Sequence, residues 1–364
     1  MVRRHFALRY DRSMPNVFVA VTGQEDNLGD SVLRRGLINA VRSSGARLHV
    51  LTGRNSASYR SALGLHADDT VYESSAAWFS AFDRSVLSSM RTHFVFNAGE
   101  ARIEKAHSYM GAKLVARLAW ARARGGSVLH TGIGVRAAAE RRTGRVRLGL
   151  RTCSLVTWRD QVSADITGVG RVEPDWAFSL GPDADARPSG ERTRLVVSMR
   201  GDRDEPAPLW YSAVRGLAEA ENLEVVVASQ VVRDNERARH VAFELGGVPV
   251  STWDSGDHAD REREMRELFA GSRAVVSDRL HALAIGATEG AVPLGFTGGS
   301  PEKVRRTLAV AGLDGGCAGV AEYRDAEHAV QALRAALAID PAARCAEART
   351  RLTALSSDMA QLLS

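Results

Sequence analysis

Arg279 and His281, within Ser277-Asp278-Arg279-Leu280-His281, are the residues whose types and spacing most readily do chemistry. An arginine forks two hydrogen bonds onto a carboxylate or phosphate, and a histidine carries or releases a proton near neutral pH. Side by side they read as an anion clamp and a proton donor. A plainer alternative is open on these five residues: Asp278 caps the next helix, Arg279 is a solvated charge and His281 an ordinary helix histidine. Arg159, in Thr157-Trp158-Arg159-Asp160, offers a second anion ligand or a partner for Asp160 or another carboxylate. In Asn27-Leu28-Gly29-Asp30, Gly29 allows a close backbone approach while Asn27 and Asp30 offer hydrogen bonds to a sugar or an anion. The alternative there is a simple strand-to-helix turn capped by Asp30. The spacing is not GxGxxG, so a dinucleotide fingerprint is absent.

These residues need elements that present them together. Short apolar runs at 17–21, 47–51, 93–96, 127–130 and 154–157 alternate with helical patterns such as 31–42 and 105–124. A second series runs through 195–200, 223–228, 248–251, 274–277 and 292–296. Strands alternating with helices mean parallel sheets, whose ligands sit at the carboxyl ends of the strands. Asn27 to Asp30, Arg159, Arg200, and Asp278 to His281 all follow such runs, as do Asn97-Ala98-Gly99-Glu100 and Thr131-Gly132-Ile133-Gly134. A linker-like stretch at 181–190 divides the chain into domains 1–182 and 190–364, the latter ending in two amphipathic helices at 325–337 and 341–363. The expected fold class is α/β, with two Rossmann-like domains facing a cleft and parallel sheets flanked by helices.

Composition narrows the function classes. With 364 residues and 45% hydrophobic content the chain is globular and large enough for two cores. Lys plus Arg outnumber Asp plus Glu by 48 to 43, a mild excess that suits small anionic ligands. No basic stretch interleaves with aromatics, so no nucleic acid is expected. Cys153, Cys317 and Cys345 are odd in number and far apart, and His107, His130, His240 and His258 are isolated, so neither a disulfide framework nor a metal site is expected. Met1-Val2-Arg3-Arg4-His5 has the charge of a signal peptide without its apolar stretch, and a cytoplasmic location is the expectation.

Taken in order, the chain resembles the polysaccharide pyruvyl transferase family. The resemblance rests on Asn27-Leu28-Gly29-Asp30, Arg159-Asp160 followed by Ser163, the Asp175 segment, Ser198-Met199-Arg200, and Arg279-Leu280-His281 followed by Val292-Pro293-Leu294-Gly295. It implies a two-lobed GT-B-like arrangement in which Arg279 and Arg159 hold phosphoenolpyruvate and His281 is the acid. The first domain would take the acceptor, a glycan or lipid- or nucleotide-linked sugar, through Asn27, Gly29 and Asp30. Ketal formation wants one acid and two anion clamps. Arg200 is expected as a further phosphate contact and Lys303 as a weaker one, because Gly298-Gly299-Ser300-Pro301 lets backbone N–H groups approach as well. No cofactor is expected beyond the donor substrate, and a peripheral contact with the inner membrane face accompanies a lipid-linked acceptor. Ser31 and Asn97 to Glu100 depart from the family pattern, and both fall in the acceptor domain. Two other classes stay open: a GT-B glycosyltransferase using a nucleotide sugar, and a non-catalytic glycan- or phosphate-binding protein.

Overall fold

Alternation along the first strands sends neighbouring residues to opposite faces of one sheet. Val17, Val19, Val95 and Leu129 point into one core, while Phe18, Phe94, Val128 and Val156 point into another. The computed structural model describes residues 14–88, 91–101, 103, 109–136, 143–183 and 190–364. The N-terminal Met1 to His5, His107, the start of the 105–124 helical pattern and most of the 181–190 linker lie outside the described residues.

The first sheet holds β1 (Asn16–Ala20), β2 (Arg47–Leu51), β3 (Thr70–Tyr72), β4 (Thr92–Val95), β5 (Gly99–Ala101), β6 (Val128–Val135), β7 (Leu155–Trp158) and β8 (Arg171–Val172). Its order is β3-β2-β1-β4-β6-β7-β8, with β5 paired to β6, and every pairing is parallel. The second sheet holds β9 (Arg194–Ser198), β10 (Glu224–Ala228), β11 (Val250–Ser251), β12 (Ser272–Ser277) and β13 (Val292–Leu294), in the parallel order β11-β10-β9-β12-β13. Strand order reverses beside β1 in the first sheet and beside β9 in the second. A crevice opens at such a reversal, because successive connections leave toward opposite faces. The expected α/β class with parallel sheets flanked by helices is what the chain adopts.

Local differences have physical causes. Thr131 to Gly134, expected as a loop, belong to β6, which runs eight residues and stays entirely buried. Its register shifts between His130 and Ile133, so Gly132, at φ 68°, is absorbed as an irregularity in a continuous strand. Gly99 and Glu100, also expected in a loop, pair with Ile133 and Gly134. Strands β3 and β8 were not anticipated, being three and two residues long at the sheet edges. The first helix spans Leu28–Arg42, three residues earlier than its pattern suggested, because Asn27 rather than Asp30 is the cap: Gly29 N donates to Asn27 Oδ1 at 3.0 Å.

The lobes are tied directly. Asn27 and Val231 form an antiparallel bridge, Leu28 N donates to Gln230 O at 3.2 Å, and Val232 N to Asp26 O at 3.0 Å. Ser31 Oγ lies 2.7 Å from Nε2 of the buried His258. Helix Pro341–Leu363, read from sequence as part of the second domain, packs in the core that contains helix Leu28–Arg42, burying Leu352, Leu355 and Met359 there. Arg351 Nη2 donates to Val172 O at 2.9 Å, and Arg171 pairs with Asp358 at 2.6 Å. The last helix therefore fastens the second lobe to the first. Among the described residues no helix is long and apolar enough to cross a membrane.

Candidate active site

Between the carboxyl ends of the two sheets lies a cavity of about 540 Å³. Thr22, Gly23 and Gln24 enter it after β1, Glu100 from β5, Arg159 after β7, Arg200 and Asp202 after β9, Gln230 after β10, and Asp278, Arg279 and His281 after β12. Seven cationic side chains line it against four carboxylates. Asn27, Asp30 and Lys303 also line it, so most of the residues singled out by sequence converge here.

Asp278 does not cap the following helix. Its Oδ1 accepts from Arg200 N at 2.8 Å, while Arg279 N donates to Ser277 Oγ at 2.9 Å. Burial raises the Asp278 pKa above the carboxylate norm, and the nearby Arg200 N–H and Arg279 charge only partly offset it. Arg279 is not a solvated charge: it is 6% exposed, and Nε and Nη2 donate to the two oxygens of Asp234 at 2.7 and 2.6 Å. Asp234 also accepts from Gly201 N at 2.8 Å. The fork expected to grip a ligand is thus committed on one edge to Asp234.

Arg159 is 4% exposed and pairs not with Asp160 but with Asp175, Nη1 to Oδ2 at 3.0 Å. Asp160 instead caps the helix Gln161–Thr167 through Ser163 N at 2.8 Å. Asp175 is fully buried, its Oδ1 accepts from Ala177 N at 3.0 Å, and its Oδ2 lies 3.7 Å from His281 Nε2. One carboxylate so joins the arginine of the first lobe to the histidine of the second. Burial pushes the Asp175 pKa up, but His281 and Arg159 outweigh it and hold the carboxyl well below its ordinary value. Asp175 is therefore an anion throughout the neutral range, positioned to stabilise an imidazolium at His281.

Gly29 holds no ligand group toward the cavity. A Cβ built there would fall 2.3 Å from His281 Nδ1, so the glycine's part is to let the ring seat against helix Leu28–Arg42. Asn27 spends its Oδ1 on the cap, and Asp30 accepts from Gln24 N at 2.7 Å while pairing with Arg34 at 3.2 Å. Burial raises the Asp30 pKa, and Arg34 with the Gln24 N–H more than reverses that. Arg200 forks onto Asp202 at 2.8 and 2.7 Å, and Lys303 bridges the lobes by pairing with Glu100, which Arg136 also meets at 2.8 Å.

Sequence reasoning passed over three residues. Asp175 was quoted as part of a segment without a role, and Asp234 carried no local signal. Arg34 lines the cavity at 6% exposure, held by Asn97 Oδ1 at 3.0 Å and Asp30 O at 2.7 Å. A charge among Leu33, Leu37 and Ile38 on the buried arc of one helix was the available sign. Among the isolated histidines, His130 is fully buried and its pKa is pushed down to about 3 by burial, so it is uncharged at neutral pH. His240 pairs with Glu205 at the surface. No group of three His, Cys, Asp or Glu among the described residues could hold a metal ion.

The family model described as polysaccharide pyruvyl transferase matches residues 117–298, half of the chain, and takes in Arg159, Asp175, Arg279 and His281. The chain belongs to the polysaccharide pyruvyl transferase family. No curated protein matches it in sequence. Among solved structures it is similar to a protein of Listeria monocytogenes described as a UDP-N-acetylglucosamine 2-epimerase, at 12% identity and TM-score 0.55, covering 95% of this chain and 97% of that one. A UDP-GlcNAc 2-epimerase of Methanocaldococcus jannaschii gives 9% and 0.46 over 90% and 94%, and the Escherichia coli heptosyltransferase WaaC 13% and 0.37 over 76% and 86%. At such identities the Listeria likeness speaks to the fold alone, which is the GT-B-like arrangement of this pyruvyl transferase family member.

Proposed function

We propose that this family member transfers the pyruvyl group of phosphoenolpyruvate onto two hydroxyls of a sugar, in a cell-surface polysaccharide or its lipid- or nucleotide-linked precursor. A cyclic ketal forms and phosphate leaves. The observation that carries the reading is that Arg159, Arg279 and His281 line one cavity while the buried Asp175 behind them joins Arg159 to His281. Phosphoenolpyruvate brings a carboxylate and a phosphate, and a buried arginine in each lobe, held in place by its own carboxylate, offers its remaining N–H groups to one of them.

The reaction requires protonation of the methylene carbon, which becomes a methyl, as a sugar hydroxyl attacks the neighbouring carbon. A second hydroxyl then closes the ring and the C–O bond to phosphate breaks. Of the two hydroxyl protons, one is formally balanced by the proton gained at carbon and the other leaves with phosphate. His281 delivers the proton, and Asp175 keeps its ring oriented and stabilises the charged form. Arg279 and Arg159 hold the substrate's anions, with Arg200 and Lys303 as further phosphate ligands. Asn27, Asp30 and Arg34 border the cavity from the first lobe, where the acceptor would enter. The reaction so written needs no cofactor.

The test is a reaction in deuterated water with phosphoenolpyruvate and a sugar acceptor. Proton delivery to carbon puts deuterium into the ketal methyl and releases phosphate stoichiometrically. Glycosyl transfer from a nucleotide sugar leaves no such mark, and a binding protein without turnover releases no phosphate.

A further inference from the structure

Between Lys105 and Arg159 the sequence carries twelve Lys or Arg residues and a single acid, Glu140. That excess is larger than the +5 of the whole chain, so the remainder is net acidic and the basic charge is concentrated in one segment. Arg136 and Arg159 line the cavity, and the structure gathers the other described cations of the segment on one face of the first sheet. Helices Ser75–Leu87, Ala112–Ala123 and Thr143–Leu150 cover the same core through Phe82, Leu118 and Val146. Lys113, Arg122, Arg124, Arg145, Arg147 and Arg151 are all exposed there. None pairs with a carboxylate of a described residue; Arg122, Arg124 and Arg147 reach only the carbonyls of Gly126, Ser88 and Ile166. Nearby acids are few. Asp83 is taken by Arg117 at 2.9 Å, and Asp165, on the adjoining helix, accepts from Gln161 at 2.7 Å.

The outward line of helix Ala112–Ala123 is Ala112, Ala116, Ala119 and Ala123, all exposed, where a solvated helix carries Glu, Gln or Lys. Leu148, 64% exposed, stands among Arg145, Arg147 and Arg151, and Leu87 is 68% exposed at the end of the neighbouring helix. Cations around protruding aliphatic side chains, with few described acids among them, form the complement of an anionic lipid surface: the charges meet headgroups and the leucines enter the acyl boundary. A nucleic acid would give Leu148 and Leu87 no partner. Strand β6 runs between two of these helices in sequence and is followed by Arg136, which lines the cavity.

We infer that this face docks the protein on an anionic bilayer, with the arginines and Lys113 at the headgroups and Leu148 in the interface. The inference does not rest on the pyruvyl reaction, and its failure would leave that reading untouched.

The experiment is flotation of the full chain with vesicles of phosphatidylcholine alone or phosphatidylcholine with phosphatidylglycerol. Binding is expected only to the latter, weakening as salt rises. One cation near such a leaflet changes partitioning about fivefold, so Lys113→Gln/Arg145→Gln/Arg151→Gln should lose about a hundredfold. Leu148→Ser should lose several-fold while keeping the salt dependence, and it serves as the test should the triple variant not fold. Equal binding to both vesicle types, binding to neither, or unchanged binding by the triple variant and by Leu148→Ser would each overturn the inference. Salt-sensitive binding to a duplex oligonucleotide, lost in the triple variant but indifferent to Leu148→Ser, without vesicle binding, would assign the face to nucleic acid instead.

Discussion

Replacing Asp175 by Asn keeps the shape of the side chain and one oxygen for Ala177 N, but removes the charge that lies 3.0 Å from Arg159 Nη1 and 3.7 Å from His281 Nε2. At an effective dielectric of about 20, a carboxylate and an imidazolium at that separation interact by about 4 kcal/mol. Only part of this reaches kcat/KM, since orientation by the remaining oxygen survives and solvent relaxes around the charge. A loss of about a hundredfold near neutral pH is expected. Stability falls as well. Arg159 is 4% exposed, and its Nε already lacks a partner, so a stranded buried cation should cost about 3 to 5 kcal/mol, read as a lower Tm. The double variant Asp175→Asn/Arg159→Met should recover part of the Tm but none of the activity. Phosphate release followed against pH, with Tm on the same preparations, provides the readout. If Asp175→Asn keeps kcat/KM within about twofold, Asp175 does not act through His281 and the proposed proton path is wrong.

Further expectations concern neighbouring residues. His281→Gln should cost about 10² to 10⁴ in rate and abolish the alkaline limb, since an amide delivers no proton to carbon; kinetics in buffers spanning the limb check this. Arg279→Lys should lower kcat/KM at least about tenfold although charge is kept, because a lysine cannot hold both oxygens of Asp234 and still face the ligand. Gly29→Ala would ordinarily favour the helix by roughly 1 kcal/mol, but its Cβ meets the His281 ring at 2.3 Å, so kcat should fall while Tm changes by less than about 3 kcal/mol would produce. Asp278→Asn should raise Tm at neutral pH. The wild-type carboxyl has a raised pKa and pays desolvation only when ionised, so the advantage should vanish as pH falls below that pKa and both side chains are neutral; melting at two pH values tests the sign.

Strand ends were legible in the chain because they follow from contacts within a few residues. A β-branched run such as 274–277 extends, the small and helix-forming residues after it coil, and Arg279 and His281 are thereby put at a strand's carboxyl end whatever the rest does. The same reasoning located Arg159 after β7 and Asn27 to Asp30 after β1, and the excess of arginine pointed to an anionic ligand. Tertiary structure alone decided which carboxylates those arginines meet. Asp175 lies 16 positions from Arg159 and Asp234 lies 45 from Arg279, distances along the chain across which no propensity acts. Buried charges must find opposite charges, and the partner is whichever the strand order brings near, so Asp175 became the link between lobes while Asp160, next door in sequence, became a helix cap. Gly29 illustrates the same limit. As a sequence feature it signified backbone freedom, and only the approach of the second lobe turned that freedom into a seat for the histidine ring.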